Sequence, residues 1–375
     1  MMVRWLRATS VFAAISFISM FEMRAQATEQ SRTLESTRFL GRGNTFVAAL
    51  DSDEATRANL STLAEPDKLR FQLRWFQIDA MVGKNTTNMI TDMTKLSGTS
   101  SVVSFLQSFR DRSGERQSFR AQVSPLAVRI LSFELAPFGL TTNFVDMRNL
   151  GTLPEVSIES NSMAGATAAF AMNFAKDFSV GVGIRPHVRY YIGGSLGFAD
   201  IADFLPPSSR EITDVIPMRS GTGLGVNLGG TWRLHPKMRL GLTVDDLGYT
   251  GYGAGGPPPI KQSINLGYFW RVYEMAKAWT TDLFFDLHDV MNESDEDYIR
   301  HLHMGAEFGR RYFSRDNDFG VVVGVNEGYF TGGLFADLLF LRLDASVYSV
   351  ESGYYAGQRD NDVRYSFSAR STMTF

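Results

Sequence analysis

Val363-Arg364-Tyr365-Ser366-Phe367-Ser368-Ala369-Arg370-Ser371-Thr372-Met373-Thr374-Phe375 closes the chain. Val363, Tyr365, Phe367, Ala369, Ser371, Met373 and Phe375 share one face, and Arg364, Ser366, Ser368, Arg370, Thr372 and Thr374 share the other. Successive side chains of a strand point to opposite sides, so a period of two specifies a β-strand with one apolar and one polar face. The polar face carries full charges and asks for water or counter-ions. The aromatic face asks for an apolar phase.

The pattern recurs upstream. Phe170, Met172 and Phe174 alternate with Ala169, Ala171 and Asn173; Lys176-Asp177 reverses the chain; Phe178, Val180, Val182, Ile184, Val188 and Tyr190 then oppose Ser179, Gly181, Gly183, Arg185, His187 and Arg189. Two alternating arms around a tight turn form a strong hairpin signal. Leu224, Val226, Leu228 and Trp232 lead through His235-Pro236-Lys237 to Leu240, Leu242 and Val244, and alternation continues through Ile264–Trp270, Leu283–Leu287, Leu302–Phe308 and Leu341–Val347.

The 375 residues are 44% hydrophobic, 13% aromatic and 21% charged, which is enough apolar material for a large core. A formal charge of -3 supplies no basic footprint, so nucleic acid is not expected as a partner. Cysteine is absent, which excludes disulfides, thiolate metal sites and a lipidated N-terminal Cys. Arg4 and Arg7 precede an apolar run from Ala8 to Phe21 and the small-x-small pattern Ala25-Gln26-Ala27, so residues 1–27 are expected to be a signal peptide. Beyond it no stretch approaches the ~18 consecutive apolar residues of a spanning helix. An exported chain of half-apolar strands still spans a membrane as a closed barrel, in which each backbone group finds a partner.

Strands are expected at 69–79, 117–124, 126–136, 164–175, 178–192, 222–233, 238–247, 261–272, 277–290, 298–311, 317–325, 330–337, 339–349 and 362–375. The first slips register after Trp75, and 126–136 alternates poorly. Connections on the side of Phe375 are short (around Pro125, and at 176–177, 234–237, 273–276 and 312–316). Those opposite include the long ones, at 80–116, 137–163, 193–221 and 248–260. Charged polar faces and this asymmetry favour a membrane barrel over a soluble sandwich. The fold class expected is all-β: a transmembrane antiparallel β-barrel of about 14 strands, here 69–375.

Residues 28–68 are not strand-like. Their Gly41-Arg42-Gly43 lacks the preceding strand and following Lys-Ser/Thr of a phosphate loop, and the segment reads as a compact lumenal hatch. Gly41, Gly43, Ala48, Asp51, Asp53, Ala55 and Asn59, followed by a first strand at Leu69, resemble the N-terminal signature of the long-chain fatty acid transporter superfamily of outer membrane barrels. That superfamily includes aromatic-hydrocarbon channels and secretion-associated barrels. Leu240-Gly241-Leu242-Thr243-Val244-Asp245-Asp246-Leu247-Gly248 and His303-Met304-Gly305-Ala306-Glu307-Phe308 add to the likeness. Ending a strand on Phe375 also resembles the assembly signal of outer-membrane proteins. The resemblance implies a fourteen-stranded barrel with an N-terminal hatch that moves hydrophobic small molecules, with membrane lipid and the assembly machinery as partners. The chain has Asn59-Leu60-Ser61 where the family usually has Asn-Pro-Ala, so a different hatch turn is expected. A structural or secretion-scaffold barrel is the alternative.

Arg185, His187, Arg189, Asp282, Asp286, His301, His303 and Glu307 are expected to face the lumen, either binding a ligand headgroup or pairing with one another and with the hatch. His301, His303 and Glu307 are too loosely spaced for a metal site. Asn292-Glu293-Ser294-Asp295-Glu296-Asp297 reads as a solvated acidic turn. No Gly-x-Ser-x-Gly is present, and neighbours His288 and Asp289 point to opposite faces of a strand, so no catalytic set and no cofactor are expected. Val102, Val103, Leu106 and Phe109, at helical spacing within 100–112, are expected either to cap the outer mouth or only to pack on a loop.

Overall fold

The computed structural model describes residues 33–49, 52–64, 71–86, 115–150, 153–197, 215–275, 279–292, 298–310, 318–338, 340–351 and 361–374. The expected signal peptide, Asp51, the helical pattern at 100–112, most of the acidic turn and Phe375 lie outside them. The strands are β1 (Phe71–Gly83), β2 (Arg116–Ser124, resuming as Ala127–Ile130), β3 (Phe133–Leu150), β4 (Leu153–Ala175), β5 (Phe178–Leu196), β6 (Arg219–His235) and β7 (Met238–Asp245). They continue as β8 (Ser263–Met275), β9 (Trp279–Leu287), β10 (Leu302–Arg310), β11 (Phe319–Asn326), β12 (Tyr329–Leu338), β13 (Leu341–Glu351) and β14 (Asn361–Thr374). Each pairs antiparallel with its neighbours, and β14 returns to β1 from Gln72↔Thr374 to Gly83↔Arg364, closing a fourteen-stranded barrel without edges.

Alternation sorts the two phases. On β14, Tyr365 and Phe367 stand on the outside, whereas Arg364 and Arg370 are buried inside. Phe174, Phe178, Trp232, Trp270, Tyr273, Phe319 and Phe340 gather outside at the short-turn end, where aromatic rings favour the lipid–water boundary. Among the described residues no helix is long and apolar enough to cross a membrane. The register slip in β1 is a bulge between Arg74 and Phe76: Trp75 and Phe76 both face outward, with Arg74 and Gln77 buried on either side.

Two expectations need correction. Pro125 is not a hairpin turn. Ser124 and Ala127 both pair with β1, while Val123↔Gly139 and Val128↔Leu135 continue the ladder to β3 with a one-residue shift. Proline lacks an N–H and so interrupts the ladder without ending the strand. The chain instead reverses at Leu131-Ser132, where Leu131 has φ 56°. Residues 137–163 are not a loop; they belong to β3 and β4, which pair from Phe133↔Phe170 to Leu150↔Leu153. A tilted strand crosses lipid in about 9–11 residues, so strands of 18 and 23 residues extend beyond the bilayer. The total stays at fourteen because the true turns replace the misplaced ones.

Candidate functional site

Inside the barrel, residues 33–64 form a helical turn (α1, Thr37–Gly41) and two 3₁₀ turns (Ser52–Arg57 and Leu60–Ala64). Five residues of helix are too few to persist alone in water, so the wall must hold them. Glu307 of β10 accepts hydrogen bonds from both Arg38 and Arg42, and the Arg42 guanidinium also lies 3.7 Å over the Phe284 ring. Asp286 of β9 accepts the backbone N–H groups of Phe46 (2.6 Å) and Val47 (2.9 Å). Gly43 N–H donates to Thr331 Oγ1 (3.0 Å), and its carbonyl oxygen lies 3.1 Å from His303 Nδ1. Arg57 pairs with Asp79 at 2.5 Å, and Arg370 pairs with Asp53 at 2.6 Å and Glu54 at 3.1 Å.

Asn59 is wholly buried and ties the segment together. Its Nδ2 donates to the Val47 and Gly230 carbonyls (2.7 and 3.0 Å), and its Oδ1 accepts from the backbone N–H and hydroxyl of Ser61. This departure from Asn-Pro-Ala has a local explanation. Leu60 opens the 3₁₀ turn, a position that tolerates proline without requiring it, and it packs with Ala55, Leu63, Ala64, Ala169 and Ala171. Ser61 adds a hydroxyl contact to Thr231 at 2.5 Å.

Wall glycines let the segment approach so closely. A Cβ on Gly181, Gly229, Gly241, Gly267, Gly305 or Gly324 would run into Leu60, Asn59, Val47 or the Arg42–Gly43 backbone. Their signal is glycine at inward positions of alternating strands.

The upper lumen is organised by loop 246–262, between β7 and β8. Arg185 donates to both carboxylate oxygens of Asp246 at 2.7 Å. His187 Nε2 lies 2.7 Å from the Tyr252 hydroxyl. Arg189 donates to Asn161 Oδ1 (2.8 Å) and to the Pro258 carbonyl (2.7 Å). Thr250 bridges to Ile260, and Ile260 packs against an apolar cluster of Leu34, Phe138, Leu140 and Met163. This patch was missed because 137–163 read as a loop.

The eight candidate lumen residues therefore do not converge. Arg185, His187 and Arg189 hold the loop; Asp286, His303 and Glu307 hold the inner segment; Asp282 pairs with Arg271 at 2.8 Å; His301 Nδ1 lies 2.9 Å from the His288 carbonyl, just before β10. Gly41 accepts from Thr331, and Asp53 meets Arg370 and, at 3.9 Å, Arg342. Among the described residues no three His, Asp or Glu side chains are placed to hold a metal ion.

Burial opposes ionisation of Glu54, but Arg370, helped by Arg57 and Arg342, outweighs both burial and neighbouring Asp53 and holds the carboxyl below its ordinary range. A depressed carboxylate contributes stability that is full above its unfolded pKa and is lost as pH falls through the folded value. The Glu54 contribution to seating the inner segment is thus expected to be full above the ordinary Glu value near ~4.3 and to be lost in stronger acid. Thiol labelling of an Ala58→Cys variant against pH measures this, and Glu54→Gln should remove the Glu54 part of the acid step.

No family model matches the chain, and no curated protein sequence matches it. Solved structures do. A monoaromatic hydrocarbon channel, CymD, superposes with a TM-score of 0.55 at 13% identity, covering 91% of this chain and 98% of that one. The Ralstonia pickettii toluene transporter TbuX superposes at 0.51 with 12% identity, covering 90% and 98%. A deltaS2S3 mutant of the monoaromatic hydrocarbon channel TodX gives 0.50 with 12% identity, covering 91% and 99%. Over nine-tenths of its length, then, this chain shares the fold of solved outer-membrane-type channels.

Proposed function

We propose that this chain is an outer-membrane channel for the passive passage of small, neutral, hydrophobic molecules, with residues 28–68 as its hatch. The observation that carries the reading is the apolar cluster Leu34, Phe138, Leu140 and Met163, set beside Arg185, His187 and Arg189 in a lumen that buries many charged and polar side chains. Burying apolar surface is worth roughly 25 cal/mol per Å², so such a patch retains a hydrocarbon that the polar wall does not. Neutral cargo follows from the electrostatics: Arg38, Arg42, Arg57, Arg185, Arg364 and Arg370 are each matched to a carboxylate. A carboxylate headgroup would have to break one of these pairs, or displace Asn161 and the Pro258 carbonyl from Arg189. The fold shared with hydrocarbon channels supports the same reading, and the closed barrel with its apolar exterior supports the membrane address.

Uptake by whole cells tests it, because the lipopolysaccharide leaflet resists hydrophobic solutes. Expression in a host lacking such channels should raise the initial rate for labelled toluene at least fivefold and leave that for labelled oleate near background. Equal stimulation of both would remove the preference for neutral cargo, and stimulation of neither would remove the transport reading.

A further inference from the structure

Much of loop 246–262 is exposed, but Asp246, Thr250 and Pro257 are buried and Tyr252 and Ile260 are half-buried, and its contacts are more extensive than a surface connection needs. Thr250 and Asp246 are buried, and the Thr250 hydroxyl donates to Asp246 at 2.6 Å. Asp246, Gly248, Tyr249, Gly253 and Gly255 all have positive φ, so the loop folds back on itself. Asp246, Tyr252 and the Pro258 carbonyl engage Arg185, His187 and Arg189, which stand on one face of β5 at every second residue. From that anchorage the loop places Ile260 on the apolar patch that includes Leu34 of the inner segment.

We infer that loop 246–262 is an inner lid, latched by Tyr252 on His187, and that its Ile260 covers the apolar patch until a neutral apolar solute displaces it. The inference rests on the transport reading above and adds to it the element that controls access. Ile260 offers the patch the same chemistry as the cargo, a branched hydrocarbon. Lid closure and solute binding then compete for one surface, and a solute that prefers the uncovered patch shifts the population toward the open lid. Because Leu34 belongs both to the patch and to the inner segment, opening the lid uncovers the top of the hatch.

The absence of cysteine makes the test direct. Leu34→Cys provides a single thiol beneath the lid, and its labelling by a charged maleimide in proteoliposomes reports lid opening. Tyr252→Phe removes one hydroxyl from the latch and should speed labelling about fivefold, the worth of one net hydrogen bond. Toluene added to the Tyr252→Phe reporter should slow it, because the solute takes the surface that residue 34 shares. Labelling unchanged by both would overturn the lid.

A second construction does not depend on weakening the latch. An ideal Cβ at Gly221 lies 2.9 Å from Tyr252 Cβ, so Gly221→Cys with Tyr252→Cys reaches disulfide geometry after a small outward relaxation of the loop. Oxidation should cut toluene uptake at least tenfold, and reduction should restore it. Full uptake through the cross-linked barrel would overturn the proposal. If labelling responds as described while neither the reporter strain nor the parent takes up toluene, the lid stands and the transport reading falls.

Discussion

Replacing Glu307 with alanine is expected to release the inner segment while leaving the barrel closed. Glu307 is 2% exposed and faces two guanidinium groups, Arg38 and Arg42, that are also buried. Removing one partner of a buried pair costs about 3–5 kcal/mol, and here one substitution takes from two cations the carboxylate they share. Arg42 keeps its bonds to the Thr45 carbonyl and its stacking on Phe284, which are weaker contacts than the bond to the Glu307 carboxylate. The barrel's own ladder does not involve the Glu307 side chain, so heat-modifiable migration should persist while trypsin gains access to Arg38 and Arg42. Replacing Arg38, Arg42 and Glu307 together with methionine should cost less than Glu307→Ala alone, since the two buried cations leave with the carboxylate they share. A triple variant that is worse than the single one would contradict the pairing.

Gly43→Ala is expected to unseat the same segment by sterics. Gly43 has φ 70°, and an added Cβ would run into the Met304 carbonyl oxygen and come within 2.7 Å of the Val325 carbonyl oxygen. Left-handed backbone costs an L-residue roughly 1–2 kcal/mol, and forcing a methyl into packed backbone costs typically ~1–3 kcal/mol more. The bonds to Thr331 and His303 would be lost with the displacement. Gly251→Ala is the control, because an added Cβ there has no heavy atom within 4 Å. Thiol accessibility at residue 58 should rise at least tenfold in the first variant and stay unchanged in the second.

What could be read from the chain alone depended on whether a strand had lipid on one side. β5 and β7 alternate cleanly because an apolar phase and a wet lumen impose opposite demands on successive residues. The bulge at Trp75 was legible for the same reason, as two apolar residues in a row. The outer halves of β3 and β4 stand above the lipid, and Ser157–Asn161 accordingly lacks the apolar face that marks a strand. The reversal at Leu131-Ser132 uses no Gly, Asn or Pro, whereas Pro125 sits nearby as a false signal. The candidate site was legible only as a set of inward charges. That Arg185 meets Asp246 and Glu307 meets Arg42 follows from closure of the barrel around the inner segment, across separations of 61 and 265 residues that no local pattern encodes.

On the proposed function, the lumen is a solute path stoppered by its own N-terminal segment. Barrels of ~16–18 strands leave an aqueous channel, and fourteen strands without a stopper should approach that behaviour. Planar-bilayer conductance of the full-length protein and of a variant lacking residues 28–68 decides the matter. The account predicts a nearly silent full-length barrel and discrete porin-scale openings in the variant; indistinguishable conductance from the two, with both barrels heat-modifiable and therefore folded, would contradict it.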